Sequence, residues 1–231
     1  MAFDYKKEYK EYYMPPQKPV IVEIPEMNFI AVSGKGDPNT ENGEYSNAMN
    51  LLYGIAYTLK MSYKGDYKIN GFVEYVVPPL EGFWWQNGFE EVDYSRKDTF
   101  QWISLIRLPD FVAEADFEWA IKEAVKKKKI DFSAVKFLTY DEGLCVQSMH
   151  MGSYDDEPAT VSAMSDFAKE NGYIIDITET RYHHEIYLAD PRKTEISKLK
   201  TVVRHPNKES RLAINKFRFA VNCLIYFMPL I

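Results

Sequence analysis

The sequence predicts an α+β fold: duplicated βαββ units forming one antiparallel sheet, with helices on one face and a ligand groove on the other. The order strand, polar glycine loop, helix, strand, strand occurs twice, from Phe29 to about Arg107 and again from Leu144 to Leu188. Within each copy the apolar spacing changes from two residues in the strands to three and four in the helix. A chain of 231 residues with 46% hydrophobic content is long enough for one large domain or two small fused modules. The copies share little identity, so the repeat is one of pattern.

Residues 1–19 read as an extended or loosely helical arm closed by Pro15, Pro16 and Pro19. Val20 to Val32 is apolar and β-branched, broken by Pro25 into two short strands or one bent one. After a glycine-rich loop from Gly34 to Gly43, Tyr45, Met49, Leu52, Ala56 and Leu59 mark one face of a helix. Gly71 to Val77 reads as a strand. Pro78, Pro79 and Gly82 then break the pattern, which puts Trp84 and Trp85 on a loop edge. Alternation from Phe100 to Leu108 predicts a strand, and Phe111 to Lys129 a helix whose four terminal lysines suit the negative end of the helix dipole. Val135–Tyr140 and Leu144–Met151 read as strands. A helix follows from Pro158, where a first-turn proline is tolerated, to Asn171, with Gly172 as its stop. Tyr173–Ile177 and Arg181–Leu188 close the pattern. The domain so drawn covers residues 20–206. Its halves lie at about 20–110 and 135–190, joined by the helix near 111–129, with 207–231 as an extension of unassigned role.

The net charge of −6 argues against a nucleic-acid partner, which needs a concentrated positive field; the stretch Arg192–Arg218, with nine Lys or Arg against Glu195 and Glu209, is the exception to this acidic balance. Two cysteines are too few for a disulfide framework and suggest a reducing, cytoplasmic setting. The apolar run Phe219–Ile231 falls short of the roughly 20 residues of a membrane span. No membrane partner is expected, and weak self-association is left open. The aromatic fraction, 15%, is high enough to suggest a lined pocket, although aromatics also fill ordinary cores.

Chemistry centres on the segment Tyr182–Leu188. In a strand, Tyr182, His184, Ile186 and Leu188 share one face, suited to packing under helices, and His183, Glu185 and Tyr187 share the other. On a concave aromatic face Glu185 would be partly desolvated and usable as a base; on a wet sheet it would be an ordinary surface carboxylate. His183 and His184 point to opposite faces and cannot both hold one ion. His150 and Cys145 add no ligand spacing, so neither metal nor cofactor is expected. Trp84, Trp85 and Trp102 offer flat faces for stacking, and Met149 adaptable apolar surface, with core packing the competing reading for each. No nucleophile elbow, phosphate loop or dinucleotide fingerprint is present.

The runs Val77–Trp85, Trp102–Pro109, Gly143–Gln147, Gly152–Thr160 and His183–Arg192 together resemble the signatures of the GyrI-like family of small-molecule-binding proteins, over about residues 18–206. The resemblance implies a central groove for a planar hydrophobic molecule, often a cation, with a buried Glu that matches Glu185. Residues 1–19 are too short for the helix-turn-helix that precedes this domain in transcription activators. The chain is similar to the stand-alone branch that hydrolyses cyclopropanoid genotoxins of the yatakemycin and CC-1065 type. That similarity implies Glu185 as base for a water, Tyr187, Tyr140 or His150 as donor to the ligand carbonyl, and Trp84, Trp85 and Trp102 as walls, with His183 and Met149 beside the ligand. The alternatives are a drug-sequestering module without turnover and a gyrase-interacting protein.

Overall fold

The computed structural model describes residues 2–87, 93 and 95–210. Nine strands form one antiparallel sheet: β1 (Val20–Ile24), β2 (Met27–Lys35), β3 (Leu80–Gln86), β4 (Phe100–Arg107), β5 (Lys136–Tyr140), β6 (Gly143–Met151), β7 (Tyr173–Ile175), β8 (His183–Tyr187) and β9 (Lys200–Glu209). Their spatial order is β1-β6-β9-β8-β3-β4-β2-β5, with β7 paired to β9. The helices are α1 (Tyr5–Glu8), α2 (Lys10–Tyr13), α3 (Glu44–Lys60), α4 (Glu114–Lys128) and α5 (Glu157–Glu170).

The order is symmetric about the β8–β3 seam. One half supplies β6-β9-β8 with α5, the other β3-β4-β2 with α3 and α4. Pro25 has no N–H and interrupts the first long strand, so β1 pairs with β6 while β2 pairs with β5. The two ladders keep a single register across the break, Ile24 opposite Gly143 and Met27 opposite Tyr140. The sheet therefore curls back on itself, with its two ends tied by this bent strand pair.

One sheet face carries the long helices. Leu52, Ile55 and Leu59 of α3 and Ala120 and Ala124 of α4 pack on Ile30, Trp102 and Ile106, and Met164 and Ala168 of α5 on Val146 and Val203. Trp102 is fully buried there, and its ring fits because Gly34 has no side chain: a Cβ would lie 2.2 Å from the indole Cη2. The other face is covered by the amino-terminal arm. Tyr5 and Tyr13 pack on Met149, Ile186 and Val202, and the Arg107 guanidinium stacks at 4.9 Å over Tyr5 and 4.7 Å over Tyr9. Much of the excess tyrosine thus pins the arm rather than lining a pocket. Among the described residues, no helix is long and apolar enough to cross a membrane.

Two elements differ from the sequence reading. Residues 71–77 contribute only a parallel bridge, Phe3 to Tyr75, and the strand starts after the prolines at Leu80. Pro78 and Pro79 cannot donate to a ladder, whereas Gly82 can, so Trp84 and Trp85 lie in a central strand and not on a loop edge. The second unit closes with β8 and β9, not with Tyr173–Ile177 and β8. Strand β9 escapes a hydrophobic-pattern search because its buried positions include Thr201, Arg204, His205 and Asn207. The extension 207–231 begins inside β9, and residues 211–231 lie outside the described residues.

Candidate functional site

At the seam, β8 and β3 pair so that Trp84 faces His183, Gly82 faces Glu185 and Leu80 faces Tyr187. Because Trp84 packs with α3, the set His183, Glu185 and Tyr187 points to the helix-bearing face. The sequence placed this set on the opposite face, with His184 and Ile186 under the helices. The structure puts His184 and Ile186 toward the arm instead, because the arm's apolar side chains cover that face.

Glu185 is 8% exposed, and it sits between the two halves. Tyr45 from α3 approaches from one side, its ring 5.4 Å from Trp84 and 5.1 Å from Trp102. Tyr154 and Glu157 approach from the other, on the turn that starts α5, with the Tyr154 ring edge-on to Tyr187 at 5.8 Å. The Trp84 indole donates to the Tyr187 hydroxyl at 2.8 Å. Burial first, then the negative charge of Glu185, push the hydroxyls of Tyr45 and Tyr187 well above their ordinary range. The same causes, with Glu157 added, move Tyr154 up to about 12. All three phenols therefore stay protonated.

Behind Glu185, His183 Nε2 lies 3.1 Å from Glu185 Oε1 and 3.7 Å from Glu157 Oε2, and His183 Nδ1 lies 2.7 Å from His205 Nε2. The ligand atoms of Glu157, His183 and Glu185 fall within 4.8 Å of one another, a spacing that suits a divalent ion as well as a shared proton. His183 and His184 do point to opposite faces; the set that converges comes from two elements, β8 and α5.

The structure brings Glu185, Tyr187, His183, Trp84 and Trp102 together, Trp102 as floor beneath Tyr45 rather than as an exposed wall. It does not bring the others there. Trp85 points away from Trp84 and packs at a tilt against Tyr182, ring centroids 5.0 Å apart, because neighbours on a strand alternate. Tyr140 packs on Phe83 and donates to the Thr180 carbonyl at 3.1 Å, and Met149 lies under the arm. His150 is engaged at both nitrogens, by Thr160 Oγ1 and the Ser153 carbonyl at 2.8 Å each, and so braces the turn carrying Tyr154 and Glu157. Sequence reasoning missed Tyr45, Tyr154, Glu157 and His205. Tyr45 carried a signal in its place on the inward stripe of α3, and Tyr154 and Glu157 lie within the run Gly152–Thr160 that carries the resemblance.

A GyrI-like small molecule binding domain matches residues 17–206. The chain belongs to the GyrI-like family. Two crystal structures from Listeria innocua are similar over 90% of this GyrI-like chain and all of theirs. One is an uncharacterized conserved protein at 47% identity with a TM-score of 0.84. The other is described as a hydrolase, at 46% identity and a TM-score of 0.83. The C-terminal domain of EcmrR, at 13% identity over 83% of this chain and 97% of its own, shares the fold alone with a TM-score of 0.51. No curated protein matches.

A second buried polar cluster of this GyrI-like protein lies on the arm side. His184 bridges Glu142 and Glu81 at 2.9 Å each, Arg204 pairs with Glu142 at 2.8 Å and with Gln147 at 3.0 Å, and the arm adds the Tyr12 carbonyl on Arg204 at 2.8 Å. The cavity beside it, lined by Tyr13, Met27, Glu81, Glu142 and Arg204, measures about 10 Å³. That is room for one water and not for a drug.

Gly82 is a direct test of the packing at the seam. A Cβ there would stand 2.6 Å from Trp84 Nε1 and 3.1 Å from the Tyr187 hydroxyl. Gly82→Ala is expected to part that hydrogen bond and to cost about 1–3 kcal/mol. Urea denaturation, with near-ultraviolet circular dichroism on the Trp84 band, would report both effects. An unchanged variant would show that the indole is not held as described.

Proposed function

We propose that this GyrI-like protein binds a flat, largely apolar aromatic molecule against Trp84 and Tyr45 and hydrolyses it by adding water to a strained ring, as in cyclopropanoid alkylators. The observation that carries the reading is Glu185, a carboxylate 8% exposed, walled by aromatic rings and held at one oxygen by His183. That carboxylate is the group that accepts a proton from water. The reaction asks little more of the protein. Water attacks the cyclopropane carbon, its proton passes to Glu185, and the breaking ring bond delivers its electron pair through the dienone to oxygen. A protonated tyrosine, Tyr45, Tyr154 or Tyr187, meets the charge that develops there. The product becomes a phenol when Glu185 returns the proton through solvent. Aromatisation supplies the driving force, so binding, orientation and one base suffice. The hydrolase described from Listeria innocua, at 46% identity, supports a hydrolytic role.

A non-catalytic reading draws on the same site. A buried carboxylate among tyrosine rings also fits a flat organic cation held without reaction. Incubation of the purified protein with a cyclopropanoid drug decides between them. Catalytic hydrolysis yields many equivalents of ring-opened, hydrated phenol by mass spectrometry. Sequestration gives protection that stops at one drug per protein, with no product. Absence of both binding and product removes the small-molecule site at Glu185.

A further inference from the structure

We propose that His205 is a positioning residue: it fixes the tautomer of His183 and through that ring aims the Glu185 carboxylate at the reacting water. The inference rests on the hydrolytic reading above but concerns a residue behind Glu185, on a different strand. His205 is on β9, 4% exposed, and its Nε2 faces His183 Nδ1 at 2.7 Å. A gap of that length between two imidazole nitrogens holds one hydrogen. If that hydrogen belonged to a neutral His183, its Nε2 would be a bare lone pair 3.1 Å from Glu185 Oε1, and the carboxylate that the reaction needs as a base would face an acceptor instead of a donor. With the hydrogen on His205 Nε2, the chain runs in one direction. His205 donates to His183 Nδ1, and His183 Nε2 donates to Glu185 Oε1.

The other nitrogen of His205 agrees. Its Nδ1 is buried with no hydrogen-bond partner among the described residues. A buried N–H there would be a stranded donor, which is rarer in folded proteins than a stranded acceptor. A cationic His205 would strand the same Nδ1–H, so the geometry leaves this ring a single hydrogen, on Nε2. A second, half-satisfied imidazole in a strand beside Val203 and Val146 is costly where an apolar residue would pack. Its return is orientation. The ring of His183 is fixed at both nitrogens, and Glu185 Oε1 is held at 3.1 Å by His183 Nε2.

The test compares His205→Gln, whose amide can still donate toward His183 Nδ1, with His205→Phe, which cannot. Turnover of a cyclopropanoid drug is followed together with the side-chain ¹⁵N spectra of the histidines and thermal melting. His205→Phe is expected to stay folded, to lower kcat about 10- to 100-fold with KM near that of the parent, and to move the His183 ¹⁵N signals. His205→Gln is expected to keep kcat within about 3-fold. Equal losses in both variants, or full activity in His205→Phe, would overturn the assignment. So would ¹⁵N shifts in the unmodified protein showing the hydrogen on His205 Nδ1. Titration with zinc supplies a further check, because one tightly bound ion lost in Glu157→Gln would put a metal where the His183 hydrogen is placed. Should the unmodified protein fail to turn over the drug, the hydrolytic reading falls, while the ¹⁵N spectra still decide the tautomer.

Discussion

Glu185→Gln is expected to slow ring opening by about 10²- to 10⁴-fold, the usual worth of a positioned general base, while drug affinity changes by no more than a few-fold. The substitution is nearly isosteric. Its amide oxygen can still accept from His183 Nε2, which now reaches Glu185 Oε1 at 3.1 Å, so the side chain keeps its place. It cannot take a proton. The aromatic surfaces that would hold a neutral planar drug, Trp84 and Tyr45, are untouched, which is why binding and rate should separate. Single-turnover formation of the hydrated phenol, measured beside quenching of tryptophan fluorescence, reads the two quantities independently. A parallel fall in both would mean that the carboxylate serves to hold a cationic ligand. Turnover at the parent rate would remove Glu185 from the chemistry.

The face on which such a carboxylate lies could not be read from its own strand. Alternation along Tyr182–Leu188 sorts His183, Glu185 and Tyr187 from His184 and Ile186, and that sorting agrees with the pairing to β3. Which set meets the helices depends on what covers the other side, and residues 1–19 carry that information. Tyr5, Tyr9 and Tyr13 belong to two short helical turns that close the concave side of the curled sheet, a long-range effect invisible to a local pattern. Strands β4 and β6 were legible because Trp102, Leu105 and Ile106 in one and Cys145, Val146 and Met149 in the other stand out as apolar, although Ser104, Arg107, Gln147, Ser148 and His150 are buried beside them. Strand β9, the centre of one half, was not, since Arg204 and His205 occupy its interior positions and read as surface residues. The same two side chains join the two buried clusters, Arg204 on the arm side and His205 behind Glu185. The parts of the sequence that break the pattern are thus those that define the site and its support.

Those clusters also set how the fold responds to pH, and Glu142→Gln is expected to destabilise the protein by about 3–5 kcal/mol at neutral pH. Burial alone would push the Glu142 carboxyl up, but attraction by His184 and Arg204 overcomes it and holds it at about 2, against 4.5 for a free glutamate. A difference of that size corresponds to about 3 kcal/mol of folding stability. It is present above pH 4.5 and lost as pH falls toward about 2. His184 works in the other direction. Burial would depress it, yet Glu142 and Glu81 raise it above its ordinary 6.5, so its share is complete below pH 6.5 and declines as pH rises through the folded value. The cluster therefore contributes most between pH 4.5 and 6.5. Urea denaturation from about pH 3 to about pH 9 should trace a stability maximum in that interval. In Glu142→Gln the share of the acid decline that belongs to Glu142 disappears, because that carboxyl is gone. The alkaline decline moves to lower pH, because His184 retains only Glu81 at 2.9 Å. Among the described residues Arg204 keeps Gln147 and the Tyr12 carbonyl but no carboxylate partner within ion-pair distance, and that stranded charge is the source of the loss. A flat pH profile in the parent protein, or a neutral effect of Glu142→Gln, would mean that the arm and not the ion cluster holds this side of the sheet together.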